Sequence, residues 1–378
     1  MTVSTVGTLG SPRRARVDTR GRVTPEGARF GLDWWIGAED RRHIPAEEAS
    51  VRQRRVGLAP VVETAMRVPG GDAIQRVYGV GGPADLVAIE IENASPVPFA
   101  AALVVCRGTG RRAPRPTVKG NWLLVDREPL VLLPRPPLRR DAQDGDALVY
   151  PVAHRTRLRF ALVLGRGRDL ASDDPGPVLG PDEVARGWAA QLGRGMRVEL
   201  PDAALQHAVD AARADLLLAP VDADAVAALE DWGFDAEVRT AWPQLSFRAR
   251  RHATRRPAAA PGWGDVQAAR ARGGVGFLLS LRRFLVRETG DHGIDLLTEL
   301  PRDWVGQGLE VHDAPTRRGR VSYAVRWHGP RPALLWECEG ADRIRAPGLD
   351  PEWSTDDSRG EALLAPHPRF GVAEQQHR

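Results

Sequence analysis

Apolar positions in the first half of the chain fall in short runs with a period near two. The clearest is Leu86-Val87-Ala88-Ile89-Glu90-Ile91-Glu92-Asn93, and similar runs occupy 33–36, 51–56, 61–68, 74–80, 99–105, 122–125, 130–133 and 157–164. Gly, Pro, Asn and Asp punctuate them about every ten residues, which predicts an all-β sandwich over 21–165. The polar, Arg-bearing stretch 1–20 predicts a loose tail, 106–120 and 134–146 predict loops, and 166–180 predicts a linker. At Pro181 the period changes. Pro181-Asp182-Glu183 opens a helix toward Leu192, stopped by Gly193 and Gly195. A helical stripe follows at Leu205, Ala208, Val209, Ala212, Leu216 and Leu217. Further helices are expected at 224–232, at 234–256 with an interruption near Pro243, and at 265–287 as one continuous element. From Ile294 the period returns toward two, over 294–297, 309–312, 320–328, 333–338 and 343–345. The expected fold class is therefore a multi-domain β and α protein in three parts. These are a β sandwich (21–165), a linker helix with a helical segment (181–288) and a small C-terminal β segment (289–365), with a second loose tail at 366–378.

Composition narrows the function. The 378 residues are 42% hydrophobic and 27% charged, a globular balance, and the net charge is only +4. Lys119 is the sole lysine, so the basic character is arginine, spread among nearly as many acids. No nucleic-acid partner is expected, and the run at 248–256 predicts a solvated helix face. No apolar stretch reaches membrane-span length and no secretory leader is seen, so the expected location is the cytoplasm, with no membrane partner. Cys106 and Cys338 are too few for a disulfide framework; one long-range disulfide is open to them, but their apolar neighbours suit two buried thiols better.

Candidate chemistry is sparse. The nine His show no HxH, HExxH or Cys-pair spacing, so neither a metal nor a cofactor is expected. Gly79-Val80-Gly81-Gly82 and Gly273-Gly274-Val275-Gly276 lack the strand and helix context of a phosphate cradle. What remains is carboxylates beside aromatics, a combination suited to sugars. Glu230-Asp231-Trp232 ends a helix and Trp263-Gly264-Asp265 sits on a loop, which makes Glu230, Asp231 and Asp265 the candidate acid and base residues. Trp34, Trp232 and Trp263 are candidate stacking platforms, although core packing competes for Trp34. Strand alternation puts Glu310 and His312 on one face, as a candidate ligand-binding pair.

Several segments together resemble a known group. They include Leu32-Asp33-Trp34-Trp35, Val61-Val62-Glu63-Thr64, Arg76-Val77-Tyr78, Leu229-Glu230-Asp231-Trp232-Gly233-Phe234, Val311-His312-Asp313-Ala314-Pro315-Thr316 and Arg331-Pro332-Ala333-Leu334-Leu335-Trp336-Glu337. From about residue 23 to 365 the chain resembles bacterial proteins of the six-hairpin glycosidase type. That resemblance implies an N-terminal β sandwich, a linker helix, an (α/α)6 barrel and a short C-terminal β domain. Twelve helices of about 11 residues with their loops need roughly 200 residues. Pro201 to Glu288 supplies only 88, so the helical domain is expected to be shortened. The resemblance implies a carbohydrate-associated protein, either binding or vestigial, with an oligo- or polysaccharide as partner. An inverting hydrolase is the alternative. A scaffold is the third reading, its curtailed helices covered by a second copy or a partner subunit.

Overall fold

The structure, a computed structural model, describes residues 3–82, 85–107, 115–141, 146–165, 178–254, 259–290 and 292–370. The chain divides into two compact units, Met1–Ala189 and Ala190–Arg378, and mixes β and α structure.

The first unit is antiparallel β. Its strands are β1 (Ser4–Gly7), β2 (Arg14–Val17), β3 (Val23–Pro25), β4 (Phe30–Gly37), β5 (Arg42–His43), β6 (Arg52–Arg55), β7 (Val62–Val68) and β8 (Gly71–Val80). They continue as β9 (Leu86–Asn93), β10 (Phe99–Arg107), β11 (Pro116–Lys119), β12 (Trp122–Val125), β13 (Glu128–Leu132), β14 (Arg139–Asp141), β15 (Ala147–Val152) and β16 (Arg157–Val163). One eight-stranded sheet runs β1-β2-β3-β4-β10-β15-β14 with β5 on β4, and the other runs β11-β12-β13-β16-β9-β8-β7-β6. Alternation decides which side chains meet. Leu32, Trp34 and Ile36 from β4 join Val77, Ile89, Ile91 and Phe160 from the other sheet in one core. Tyr150 and Phe160 meet edge to face there at 5.3 Å. Trp35 points the other way, into a small cluster with Ala102, Ala147 and Val149.

The second face of β9 carries a fully buried acid, Glu90, beside Leu86 and Ala88. Glu90 accepts hydrogen bonds from Tyr78 Oη at 2.8 Å and Arg159 Nε at 2.5 Å. Arg159 also donates to the Val178 carbonyl, and the Leu179 carbonyl lies 3.2 Å from Tyr78 Oη, so the end of the expected linker is fastened across this sheet. Its earlier part, 166–177, lies outside the described residues.

Residues 3–20 are not a loose tail; 1–2 lie outside the described residues. β1 and β2 pair with each other, and Val6, Ala15 and Val17 enter the core. Arginines alternating with small apolar residues hid this edge. β1 also runs against β8: a Cβ at Gly79 would lie 2.0 Å from the Gly7 carbonyl oxygen, so that position requires glycine. The expected loops likewise hold β11 and β14. Between β10 and β14, 108–114 lies outside the described residues.

Helix α1 (Pro181–Leu192) runs over the boundary between the units. The second unit continues with β17 (Arg197–Glu199), α2 (Ala203–Leu217), α3 (Ala223–Asp231), α4 (Asp235–Ala241), α5 (Phe247–Ala253), α6 (Trp263–Arg272) and α7 (Val275–Leu285). A 3-10 turn at Trp242–Gln244 marks the expected break near Pro243. The helix expected over 265–287 is two helices, because Gly273 and Gly274 both adopt φ near +70° (71° and 72°). The last strands are β18 (Val286–Glu288), β19 (Gly293–Leu296), β20 (Leu309–Thr316), β21 (Gly319–His328), β22 (Arg331–Cys338), β23 (Arg343–Ala346), β24 (Asp350–Thr355) and β25 (Arg359–Leu363). They form a five-stranded sheet β17-β20-β21-β22-β25 and a four-stranded sheet β18-β19-β23-β24 with one parallel pair, β19 and β23.

Helices and strands share this unit because the helices find their partner surface on the sheet. α3 packs on β20, and Tyr323 of β21 donates to the Leu285 carbonyl at 2.9 Å. Arg282 of α7, nearly buried, donates to the carbonyls of Asp231, Val286 and Pro315. The C-terminal stretch is also anchored. Phe370 stacks on Trp327 at 5.7 Å and the His367 N–H donates to the Pro330 carbonyl at 2.8 Å, so 366–370 is not loose; 371–378 lies outside the described residues. No helix among the described residues is long and apolar enough to cross a membrane. Both cysteines are free: Cys338 is buried, but Cys106 is only half-buried, its Sγ 3.2 Å from the Gly31 carbonyl oxygen. Burial pushes the Cys338 thiol up to about 11.

Candidate functional site

The five-stranded sheet turns one face inward and one outward. Val198, Leu309, Val311, Val321, Tyr323, Val325 and Leu334 are buried. The alternate positions Arg197, Glu199, Glu310, His312, Ser322, Arg326, Leu335, Glu337 and Arg359 project from the other side, half-buried or exposed. Register arranges these in cross-strand rows. Glu199 stands opposite Glu310, Glu310 opposite Ala324, Ala324 opposite Leu335, and Leu335 opposite Glu361. The next row runs from Arg197 to His312, and Ser322 opposes Glu337, which opposes Arg359.

A bulge shapes the middle of this face. Val311 pairs with Tyr323 and Ala314 with Val321, so His312 and Asp313 together stand against Ser322 alone. Asp313 takes φ 56°, a left-handed conformation that Asp tolerates, and its N–H donates to Ser322 Oγ at 3.0 Å. Beside the bulge, His312 Nε2 lies 3.2 Å from Glu310 Oε2, and Arg326 donates to Glu310 Oε1 at 2.8 Å. Two open grooves flank the pair. One, of about 380 Å³, is lined by His312, Ser322, Ala324, Leu335, Glu337 and Arg359. The other, of about 260 Å³, is lined by Glu199, Leu200, Leu309, Glu310, Val325 and Arg326.

The expected sharing of a face by Glu310 and His312 is therefore realised. The other expected site residues separate by burial. Trp34 is 1% exposed and donates through Nε1 to the Arg20 carbonyl at 3.1 Å; it is a core residue, and no ring face reaches solvent for stacking. Trp232 is 0% exposed and donates to the Leu278 carbonyl at 3.1 Å, so it too is core. Trp263 is half-buried against Phe284 and Trp304, with centroids 5.4 and 5.1 Å away. Asp265 is not on a loop: it lies in the first turn of α6, where its Oδ2 accepts from the Gly262 N–H at 3.0 Å. Glu230 is exposed near the end of α3, and Asp231 is half-buried, with its carbonyl receiving Arg282. Capping explains Asp265 fully, and the site's nearest carboxylate was missed: Glu199, on the three-residue β17, far upstream of Glu310 and joined to it only by strand pairing.

Comparison with models of protein families finds no match for this chain, and neither does a search of curated proteins.

Proposed function

We propose that the chain is a carbohydrate-associated binding protein related to the six-hairpin glycosidases. In this reading a β sandwich precedes a shortened α/α-type helical segment and a small C-terminal β segment, and an oligo- or polysaccharide is the partner. The observation that carries the reading is the outward face of the five-stranded sheet. There Glu310, His312, Arg326, Glu337 and Arg359 surround the small apolar patch of Ala324 and Leu335. Sugars present hydroxyls around apolar C–H faces, so mixed donors and acceptors beside apolar surface recognise them, and an open groove admits a long chain.

The same geometry argues against an inverting hydrolase. An inverting pair holds its carboxyl groups about 6.5–9.5 Å apart to admit a water. Oxygens of Glu199 and Glu310 come within 4.8 Å, short of that span. Asp265 is occupied as a helix cap. The test is a melting-temperature screen across a broad oligosaccharide panel, coupled to a reducing-end assay. A shift without new reducing ends supports binding; cleavage would replace it with a working hydrolase.

One observation favours an interaction protein as the second reading. Phe247, at the start of α5, is 76% exposed. A stable homodimer in light scattering that Phe247→Ser abolishes, with no glycan shift, would favour that reading.

A further inference from the structure

We propose that Glu199, Glu310 and His312 form a binding site for a divalent cation, with Zn2+ the best-matched ion. One ligand atom from each lies within 4.8 Å of the other two, the only such group of three among the described residues. Two neighbouring strands set this spacing. Glu199 and Glu310 are direct cross-strand partners, and His312 follows Glu310 by two residues on the same face.

The chemistry of the donors selects the ion. One imidazole nitrogen and two carboxylate oxygens suit Zn2+ better than the all-oxygen shells of Ca2+ and Mg2+. Bonds of about 2.1 Å around a tetrahedral Zn2+ place its ligand atoms about 3.4 Å apart. His312 Nε2 and Glu310 Oε2, 3.2 Å apart, already stand at that spacing. Glu199 is exposed, and one of its carboxylate oxygens lies within 4.8 Å of the other two ligand atoms. Arg326 holds Glu310 through Oε1, leaving Oε2 facing His312; a hydrogen bond of this kind orients a ligating carboxylate. Two carboxylates placed directly opposite each other repel, and a cation between them removes that cost. The two grooves adjoin the group, one at His312 and one at Glu199 and Glu310, so the fourth position opens to solvent. Arg197, opposite His312, and Arg326 are the positive charges nearest in register. They work against a cation, which makes a three-ligand hold necessary.

This proposal does not rest on glycan binding, and its test uses Zn2+ alone. The chelator-treated full chain is titrated with zinc chloride by calorimetry, beside Glu199→Gln, His312→Gln and Arg326→Gln. Glu361→Gln, on the same face two strands beyond β21, is the control. The expected result is one ion per chain. Loss of either ligand weakens binding more than tenfold, Arg326→Gln changes affinity by about tenfold through the orientation of Glu310, and Glu361→Gln leaves it unchanged. Glu199 and His312 lie outside the apolar core, and circular dichroism of each variant checks that the fold persists. No stoichiometric binding to the wild type overturns the proposal. So does wild-type affinity in Glu199→Gln and His312→Gln, which would place the ion elsewhere.

Discussion

Two histidines in this chain each sit beside two carboxylates, and they are built for opposite ends. His43, on β5 of the first unit, is 4% exposed. Its Nδ1 is 3.0 Å from Glu48 and its Nε2 3.0 Å from Asp40, and Arg41 closes the group on Glu48 at 2.5 Å. Every polar atom of that ring is spent on its own loop. His312, on β20 of the second unit, is half-buried, directs one nitrogen at Glu310, and borders an open groove. A histidine saturated from both sides holds a fold together; one saturated from a single side, at a groove, is available to a ligand. The tryptophans divide in the same way. Trp34 and Trp232 are sealed in cores with their N–H groups satisfied, whereas the polar face of the C-terminal sheet has no such sealing.

The contrast between sealed and open positions is tested first where its effect is largest. Trp232→Ala removes a fully buried ring and its bond to Leu278, and it should cost about 3–5 kcal/mol in urea unfolding. Leu335→Ala, on the open face, should stay within about 0.5 kcal/mol. Equal losses would erase the distinction. His43→Ala leaves Asp40 and Glu48 without their shared donor and should cost about 1–3 kcal/mol, while His312→Ala should be near neutral for stability. Acid sharpens the comparison further. The hydrogen bond from His43 holds the Asp40 carboxyl below its ordinary range, and Arg41, followed by His43, does the same for Glu48. Groups lowered in the folded state stabilise fully above the unfolded carboxylate range of about 4 and lose that contribution as pH falls through their lower folded values. The urea midpoint of the wild type should therefore fall below about pH 4, more steeply than that of His43→Ala. The last comparison concerns two glycines. At Gly274 a Cβ would meet nothing within 4 Å, but the backbone stands at φ 72° and ψ −165°, a region that glycine alone adopts readily, so Gly274→Ala should cost about 1–3 kcal/mol. Gly264, inside α6 with similar free space, should gain about 0.5 kcal/mol on substitution by Ala.

Local pattern carried the sequence reading as far as local pattern reaches. The alternation in 86–93 is β9 residue for residue, and the pairing of Glu310 with His312 follows from a period of two. Pro181 and the acids after it mark the start of α1. Three features escaped for identifiable reasons. β1 and β2 are four-residue strands at one end of their sheet, β1 with a single apolar pair, Val6 and Gly7, and β2 with arginines at alternate positions, so neither shows a long apolar alternation. The break between α6 and α7 was written in the Gly273-Gly274 doublet, but the flanking apolar stripes hid it. Glu199 joins the site through a long-range strand pairing that no window along the chain contains. Burial worked against the aromatic candidates, since a tryptophan beside an acid looks the same in sequence whether its ring faces a core or a groove.

The outward face of the C-terminal sheet as a glycan-binding surface is tested most directly by one experiment. The melting temperature of the wild type and of a Glu337→Gln, Arg359→Ala double variant is measured across the oligosaccharide panel. Both residues line the larger groove, both are exposed, and the double variant should melt close to the wild type without sugar. The account predicts at least one glycan that raises the wild-type midpoint, releases no reducing ends and leaves the double variant unmoved. No shift with any glycan, or the same shift in both proteins, would contradict it.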